Sequence, residues 1–168
     1  MSPTCHINFS RGQRGLTLLE MVLAMAILPV LASVIVPMAE MTAIRGKELE
    51  LRRSLREIRT AIDDYKADFD KAVEQKKIIA AVDESGYPES LEVLLEGSDW
   101  GGLYPYKRRY LRRLPKDPFD EYDEGWGLRS YMDDPDSTFY SGDDVYDVYS
   151  QSQRYALDGT PYNTWRYR

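Results

Sequence analysis

Residues 16–39 read LTLLEMVLAMAILPVLASVIVPMA, a stretch of 24 residues in which Glu20 is the single charged side chain. As an α-helix this stretch is roughly 36 Å long, against a bilayer hydrocarbon core of about 30 Å. Arg11 and Arg14 precede it, and a run of mixed charge begins at Glu40. Because Lys and Arg collect on the cytoplasmic side of a membrane helix, the pattern predicts an anchor with its N-terminus in the cytoplasm.

The composition of the whole chain excludes several kinds of site. The 168 residues carry 22 Lys and Arg against 28 Asp and Glu, a formal net charge of -6, so general attraction to nucleic-acid phosphates is not expected. Cys5 is the one cysteine and His6 the one histidine. These counts exclude a disulfide framework, a Cys/His zinc site and a Ser-His-Asp triad, so oxygen atoms remain as metal ligands.

One basic cluster stands out in this acidic chain. The cluster consists of Arg108, Arg109, Arg112 and Arg113, which are interleaved with tyrosines. Such a cluster is able to bind anionic lipid or nucleic acid. Because the chain is acidic, we favour ion pairs within or between subunits.

A second helix-forming stretch follows the apolar one. Residues 47–75 contain neither Gly nor Pro, and their large apolar side chains recur at spacings of four and three: Leu51, Leu55, Ile58, Ile62, Tyr65 and Phe69. This spacing places them on one face of a helix. A coiled-coil stalk has the same pattern, but turn-rich aromatic sequence follows Phe69, so we expect this face to pack against a globular domain.

The rest of the chain predicts short strands and ordered loops. From Tyr87 onward it contains 12 of the 13 tyrosines and all three tryptophans, together with many Gly, Pro, Asp and Ser residues. This composition favours strands and turns over further helix. The predicted strands are residues 126–132, 145–150 and 155–157, and a short helix is predicted over 88–96 with Ser90 as its N-cap.

The boundary at residue 15 carries a recognisable pattern. RGQRG ends at Gly15, LTLLE begins at Leu16, and an acid follows at Glu20. The pattern resembles the class III signal of type IV pilins and pseudopilins, whereas an ordinary secretory signal would be cut after its apolar core. The resemblance implies that a prepilin peptidase cuts between Gly15 and Leu16 and that the new Leu16 amine is methylated, although Phe is commoner at that position. Cleavage removes Cys5, so we expect a cross-link other than a disulfide in the exported domain.

Placing the charged Glu20 side chain in the hydrocarbon core costs free energy, so a charged residue at such a position suggests a functional role. In the pilin-like interpretation its partner is the Leu16 amine of a neighbouring subunit. The alternative is a carboxylate that reaches the headgroups from the end of the helix. Pro37 lies where pilin-like helices commonly carry a proline, and it removes one helical hydrogen bond.

Further motifs narrow the resemblance. YLRRLPKDP over residues 110–118, DVYS over 147–150 and ALDG over 156–159 are similar to the major pseudopilin of type II secretion systems. That family holds a calcium ion in a C-terminal loop, and calcium takes six to eight oxygen ligands. The resemblance implies Ser150, the carbonyl of Gln151, Asp158 and Thr160 as ligands, with Tyr162 as a further candidate. Asp143, Asp144 and Asp147 are substitutes, and the alternative is that Asp158 only forms a turn.

These patterns predict an α+β fold in which a long N-terminal helix, half in the membrane and half amphipathic, packs against a small antiparallel sheet with ordered loops. The predicted divisions are a cleaved leader (residues 1–15), a transmembrane and assembly helix (residues 16–39), an amphipathic helix (residues 40–75) and a periplasmic domain with the calcium loop (residues 76–168).

The resemblance implies a structural subunit and not an enzyme. The subunit would polymerise into the periplasmic pseudopilus of type II secretion, with minor pseudopilins, the prepilin peptidase and the inner-membrane secretion platform as partners. The alternatives are a type IV pilin in a surface filament for adhesion, motility or DNA uptake, and a membrane-tethered module that binds a carbohydrate or peptide. Carboxylates such as Asp117 and Asp120 give little support to acid-base catalysis.

Overall fold

The computed structural model describes residues 15, 17–81, 84–135 and 137–165. The chain divides into two compact units, Met1–Met41 and Thr42–Arg168. One helix, α1 (Leu18–Glu74), extends over 57 residues, and a small antiparallel sheet lies in the second unit. The predicted α+β fold is confirmed.

Within the first unit, α1 begins directly after Thr17 and continues through Pro29 and Pro37. Proline lacks the N–H that would bond to the carbonyl four residues earlier, so each proline removes one helical hydrogen bond. The hydroxyl of Ser33 donates to the carbonyl of Val30 at 2.7 Å. The helix continues across both prolines without a break in its assigned range.

In the second unit, the apolar face predicted on α1 is buried. Leu51, Ile58 and Ile62 are 0% exposed, and Tyr65 is half-buried against them. Burying a side chain of this size stabilises the fold by roughly 1.5 to 3 kcal/mol. The face packs against the globular part of the unit, as expected, and not against a second helix of a stalk.

The described residues of the globular part contain one more α-helix and two strands. They are α2 (Leu91–Glu96), β1 (Trp126–Arg129) and β2 (Asp147–Ser150), followed by a 3-10 helix, Tyr162–Thr164. The strands pair antiparallel, with Trp126 opposite Ser150 and Arg129 opposite Asp147. Both lie within stretches predicted as strands.

Two predicted elements differ from the structure. Residues 155–157 form no strand, because Ala156 N–H donates to the carbonyl of Thr160 at 2.8 Å and folds the chain back on itself; an isolated bridge joins Tyr155 to Pro161. The helix predicted over 88–96 starts later, at Leu91, since the carbonyl of Pro88 accepts from Val145 N–H at 2.7 Å. Ser90 occupies the N-cap position, but its side chain makes no capping hydrogen bond.

Candidate functional site

The surface of α1 formed by residues 18–41, called the N-terminal apolar surface below, is exposed along its whole length. Leu18 is 83% exposed and Met25 is 73% exposed. By length and composition this part of α1 is able to cross a membrane. Exposure of so much apolar area to water is unfavourable, so this part of α1 fits a membrane anchor.

Glu20 lies in the first turn of α1 and is exposed. Its backbone N–H donates to the hydroxyl of Thr17 at 3.2 Å, which satisfies one of the free donors at the helix start. The negative charge is also favourable there, because the helix dipole places positive charge at this end. Thr17 is absent from the predicted site residues, although the spacing Thr-x-x-Glu signals such a cap.

The other residues predicted for processing and assembly occupy different settings. Gly15 is exposed, and a side chain at this position would meet nothing within 4 Å. Leu16 lies outside the described residues. Pro37 is exposed within α1. Cleavage after Gly15 and the pairing of Glu20 stay predictions.

In three of the four residues predicted to hold calcium, the oxygen atom that would bind the ion already takes part in a hydrogen bond within the protein. The bond described for Gln151 is made by its side chain and not by the predicted carbonyl. Asp158 Oδ1 accepts from the Thr160 amide at 2.9 Å and from the Thr160 hydroxyl at 2.6 Å. Ser150 is 0% exposed, and its hydroxyl oxygen accepts from Ser152 N–H at 3.2 Å. The Gln151 amide donates to the carbonyl of Glu124 at 3.3 Å.

This donor set fits calcium poorly. Asp158 is the only carboxylate among the four, and calcium affinity depends on the number of charged ligands. In the part of the chain that the structure describes, no group of three or more His, Cys, Asp and Glu residues is placed to hold a metal. The calcium site stays a prediction.

Two of the three substitute ligands bind donors from the protein. Asp144 Oδ1 accepts from the Ser130 hydroxyl at 2.7 Å and the Tyr131 amide at 2.8 Å. Asp147 pairs with Arg59 at 2.6 Å and with Arg129 at 3.5 Å. These carboxylates join β2 and the neighbouring loop to the rest of the unit.

A second buried carboxylate, Asp68, connects α1 to the loop that follows α2. Asp68 accepts from the hydroxyls of Tyr104 at 2.8 Å and Tyr110 at 2.7 Å. Trp100 Nε1–H donates to the Tyr110 oxygen at 2.7 Å. Burial raises the pKa of Tyr110, and the hydrogen bond to Asp68 raises it further. The hydrogen bond from Trp100 acts in the opposite direction and lowers the pKa, but the net shift is upward. These contacts join α1 to the loop that follows α2.

The basic cluster divides into two groups. Arg108 pairs with Asp68 at 2.8 Å. Arg109, Arg112 and Arg113 are exposed and form no ion pair with any described residue. Among the described residues, ion pairing within the subunit therefore explains Arg108 but not the other three arginines.

The acids considered for acid-base chemistry shape a loop instead. Asp117 Oδ1 accepts from Phe119 N–H at 2.8 Å. Asp120 accepts from the amides of Gly125 at 2.8 Å and Tyr122 at 3.1 Å. The bond from Gly125, followed by other backbone bonds, lowers the pKa of Asp120.

Comparison with known families identifies the N-terminal part of the chain. Residues 10–36 match the family model described as the prokaryotic N-terminal methylation motif. No match was found to a curated protein or to a solved structure. The matched residues include Gly15, Leu16 and Glu20 and begin the N-terminal apolar surface. The motif and the α+β fold support a type IV pilin-like protein, a membrane-associated structural subunit of the kind that polymerises.

Proposed function

We propose that this chain is the subunit that polymerises into the periplasmic pseudopilus and drives type II protein secretion across the outer membrane. The observation that carries the proposal is the N-terminal apolar surface, which is exposed along its length and has Glu20 as its one charged side chain up to residue 39. Residues 18–36 of this surface lie in the segment with the methylation motif. A helix of this kind is held by lipid before assembly and by neighbouring helices afterwards.

Processing would create the partner of Glu20. Cleavage after Gly15 leaves a cationic amine on Leu16, and methylation of an amine keeps its charge. A carboxylate and an amine about 4 Å apart attract by roughly 4 kcal/mol at an effective dielectric constant near 20, before desolvation is counted. Pairing between Glu20 of one subunit and Leu16 of the next would therefore fix their axial register.

The remaining partners would follow from this pathway. A prepilin peptidase would cut the leader, minor pseudopilins would join the filament, and the inner-membrane secretion platform would extract subunits from the membrane. The sequence has no Gly-rich phosphate-binding loop, so ATP hydrolysis would belong to a separate motor protein. The chain itself would act as a structural subunit, with its second unit in the periplasm.

A type IV pilin in a surface filament, for adhesion, motility or DNA uptake, is the second candidate. The observation that favours it is the methylation motif itself, since pilins and pseudopilins share this signal. The two candidates differ in where the filament ends. A pseudopilus stays within the periplasm, whereas a pilus is visible outside the cell.

Comparison of the extracellular proteome with and without this gene tests the proposal. Wild-type protein and the Glu40→Ala variant should restore secretion of folded exoproteins, while Glu20→Ala should leave them in the periplasm. Glu40 is the matched control because it is exposed on the same helix but lies just beyond the apolar stretch. Immunoblots must show equal amounts of each variant in the membrane.

The outcome separates the candidates. If the gene is removed and the exoproteins are still released, the secretion proposal is wrong. Loss of surface filaments in electron micrographs of the same strain would then favour the pilin. If Glu20→Ala restores secretion as fully as Glu40→Ala does, the proposed role of Glu20 in assembly is wrong.

A further inference from the structure

The last described segment of the second unit, residues 155–165 and called the C-terminal segment below, is held against α1 by charged side chains. Three of these side chains contact it: Glu48, Arg52 and Arg59. All three lie more than 95 positions earlier in the sequence. They form a clasp in the part of the chain where the predicted calcium ion would act.

Glu48 supplies the acceptor at the centre of the clasp. Its Oε1 atom accepts from Leu157 N–H at 2.8 Å and from the Tyr162 hydroxyl at 3.2 Å. Tyr162 is 1% exposed and stacks on Phe119 with the ring centroids 4.1 Å apart. Hydrogen bonds to a charged acceptor are roughly twice as strong as neutral ones. One carboxylate therefore fixes both the tight loop and the 3-10 helix that follows it.

Two arginines hold the end of the segment. The Arg52 guanidinium lies 4.4 Å from the ring centroid of Trp165, within the range of a cation-π interaction. Arg59 Nη2–H donates to the carbonyl of Trp165 at 3.2 Å and to that of Val148 at 2.8 Å. Trp165 Nε1–H in turn donates to the Thr160 hydroxyl at 2.9 Å. Arg59 thus connects the C-terminal segment to β2 as well as to α1.

Two of the residues predicted to hold calcium, Asp158 and Thr160, take part in this arrangement. Asp158 Oδ1 already receives two hydrogen bonds from Thr160, and Thr160 is bonded to Trp165. A calcium loop requires several charged oxygen ligands converging on one point, and these four residues provide one carboxylate. We infer that Glu48, Arg52 and Arg59 order the C-terminal segment in this chain without a bound calcium ion.

Hydrogen-deuterium exchange on the full chain in detergent micelles tests the inference. Exchange at the Leu157 amide should speed up about tenfold in Glu48→Ala, because its acceptor is lost, and should be unchanged in Glu50→Ala. Glu50 is exposed on the same helix, and its side chain forms no hydrogen bond or ion pair with another described residue. The measurement uses unassembled protein, so its result does not depend on the proposed filament.

Calcium supplies the decisive comparison. Wild-type exchange and melting temperature should be the same in excess EDTA and in excess calcium chloride. If the folded chain did bind calcium, a concentration a hundredfold above the Kd would raise the melting temperature by roughly 8 °C. Slower exchange in residues 155–165 with calcium would overturn the inference, as would equal exchange in Glu48→Ala and Glu50→Ala.

A second pair of variants covers the case in which Glu48→Ala loosens the whole unit, as judged from exchange in β1. Arg52→Ala removes the cation above Trp165, while Arg53→Ala removes an exposed arginine whose side chain forms no hydrogen bond or ion pair with another described residue. Faster exchange in the C-terminal segment of Arg52→Ala alone supports the clasp. Equal exchange in the two variants contradicts it.

Discussion

Arg108 Nη1 lies 2.8 Å from one carboxylate oxygen of Asp68 and 3.0 Å from the other. Asp68 is 2% exposed, whereas the Arg108 side chain is 36% exposed. The pair therefore places a buried carboxylate on the core side and leaves part of its cation in water. Arg108 also lies in the basic cluster, so the same bond positions the loop that carries the exposed arginines.

Asp68→Ala should lower the free energy of unfolding by about 3 kcal/mol. The change leaves Arg108 and the hydroxyls of Tyr104 and Tyr110 without their common acceptor, and an unpaired buried donor costs more than a lost surface bond. Urea unfolding of the full chain in micelles measures the effect. The control is Asp70→Ala, which removes an ion pair between Asp70, an exposed residue, and Lys66 and should cost less than about 1 kcal/mol. Equal losses in the two variants would contradict the prediction.

Gly127→Ala and Gly46→Ala should change stability in opposite directions. A Cβ atom at Gly127 would lie 2.3 Å from Tyr149 Cζ, and the Tyr149 ring is held in place by the Arg129 guanidinium 4.1 Å from its centroid. The overpacking should cost about 1 to 3 kcal/mol. Gly46 lies within α1, and a Cβ there would meet nothing within 4 Å, so alanine should add about 0.5 to 1 kcal/mol.

Thermal unfolding by circular dichroism measures both glycine variants against wild type. Each variant serves as the control for the other, since both replace glycine by alanine. Destabilisation by Gly46→Ala, or none by Gly127→Ala, would show that the packing around these positions differs from that described.

The elements that depend on local pattern were predictable from the sequence. Burial follows the helical period, so the spacing from Leu51 to Phe69 predicted the buried face of α1. Strands β1 and β2 lie where alternating and aromatic residues predicted them. The strand predicted over residues 155–157 was wrong because Ala156 bonds back to Thr160 within one tight loop; the turn at Asp158, which the sequence analysis gave as an alternative, is part of that loop.

The charged contacts were not predictable, because their partners are distant in the sequence. Asp68 bonds to Tyr110, 42 positions away, and Glu48 bonds to Tyr162, 114 positions away. One local signal existed. Asp68 lies three residues after Tyr65 and four before Ala72, which places a charge on the apolar face and indicates a buried partner.

Charge reversal at Arg112 and Arg113 should weaken assembly without unfolding the subunit. Both side chains are exposed and form no ion pair with a described residue, so replacing them by Glu should change the free energy of unfolding by no more than about 0.5 kcal/mol each. If they pair with acidic residues of a neighbouring subunit, the double variant should form fewer crosslinked polymers in cells. The same reversal at Arg53, an exposed arginine on α1, is the control. Normal polymers in the double variant would contradict a role between subunits.

Alkaline pH should loosen the C-terminal segment through Tyr162. Burial, followed by the charge of Glu48, raises the pKa of Tyr162 to about 12, compared with about 10 for an unfolded tyrosine. The folded state holds this proton more tightly, so its contribution to stability is complete below pH 10 and is lost as the pH rises from 10 through 12. One proton changes the free energy of unfolding by at most about 1.4 kcal/mol per pH unit.

Melting temperatures from pH 8 to pH 12 should fall less steeply above pH 10 in Tyr162→Phe than in wild type. Tyr155→Phe, at an exposed position, should follow the wild-type curve; a wild-type slope in Tyr162→Phe would show that other groups cause the alkaline loss.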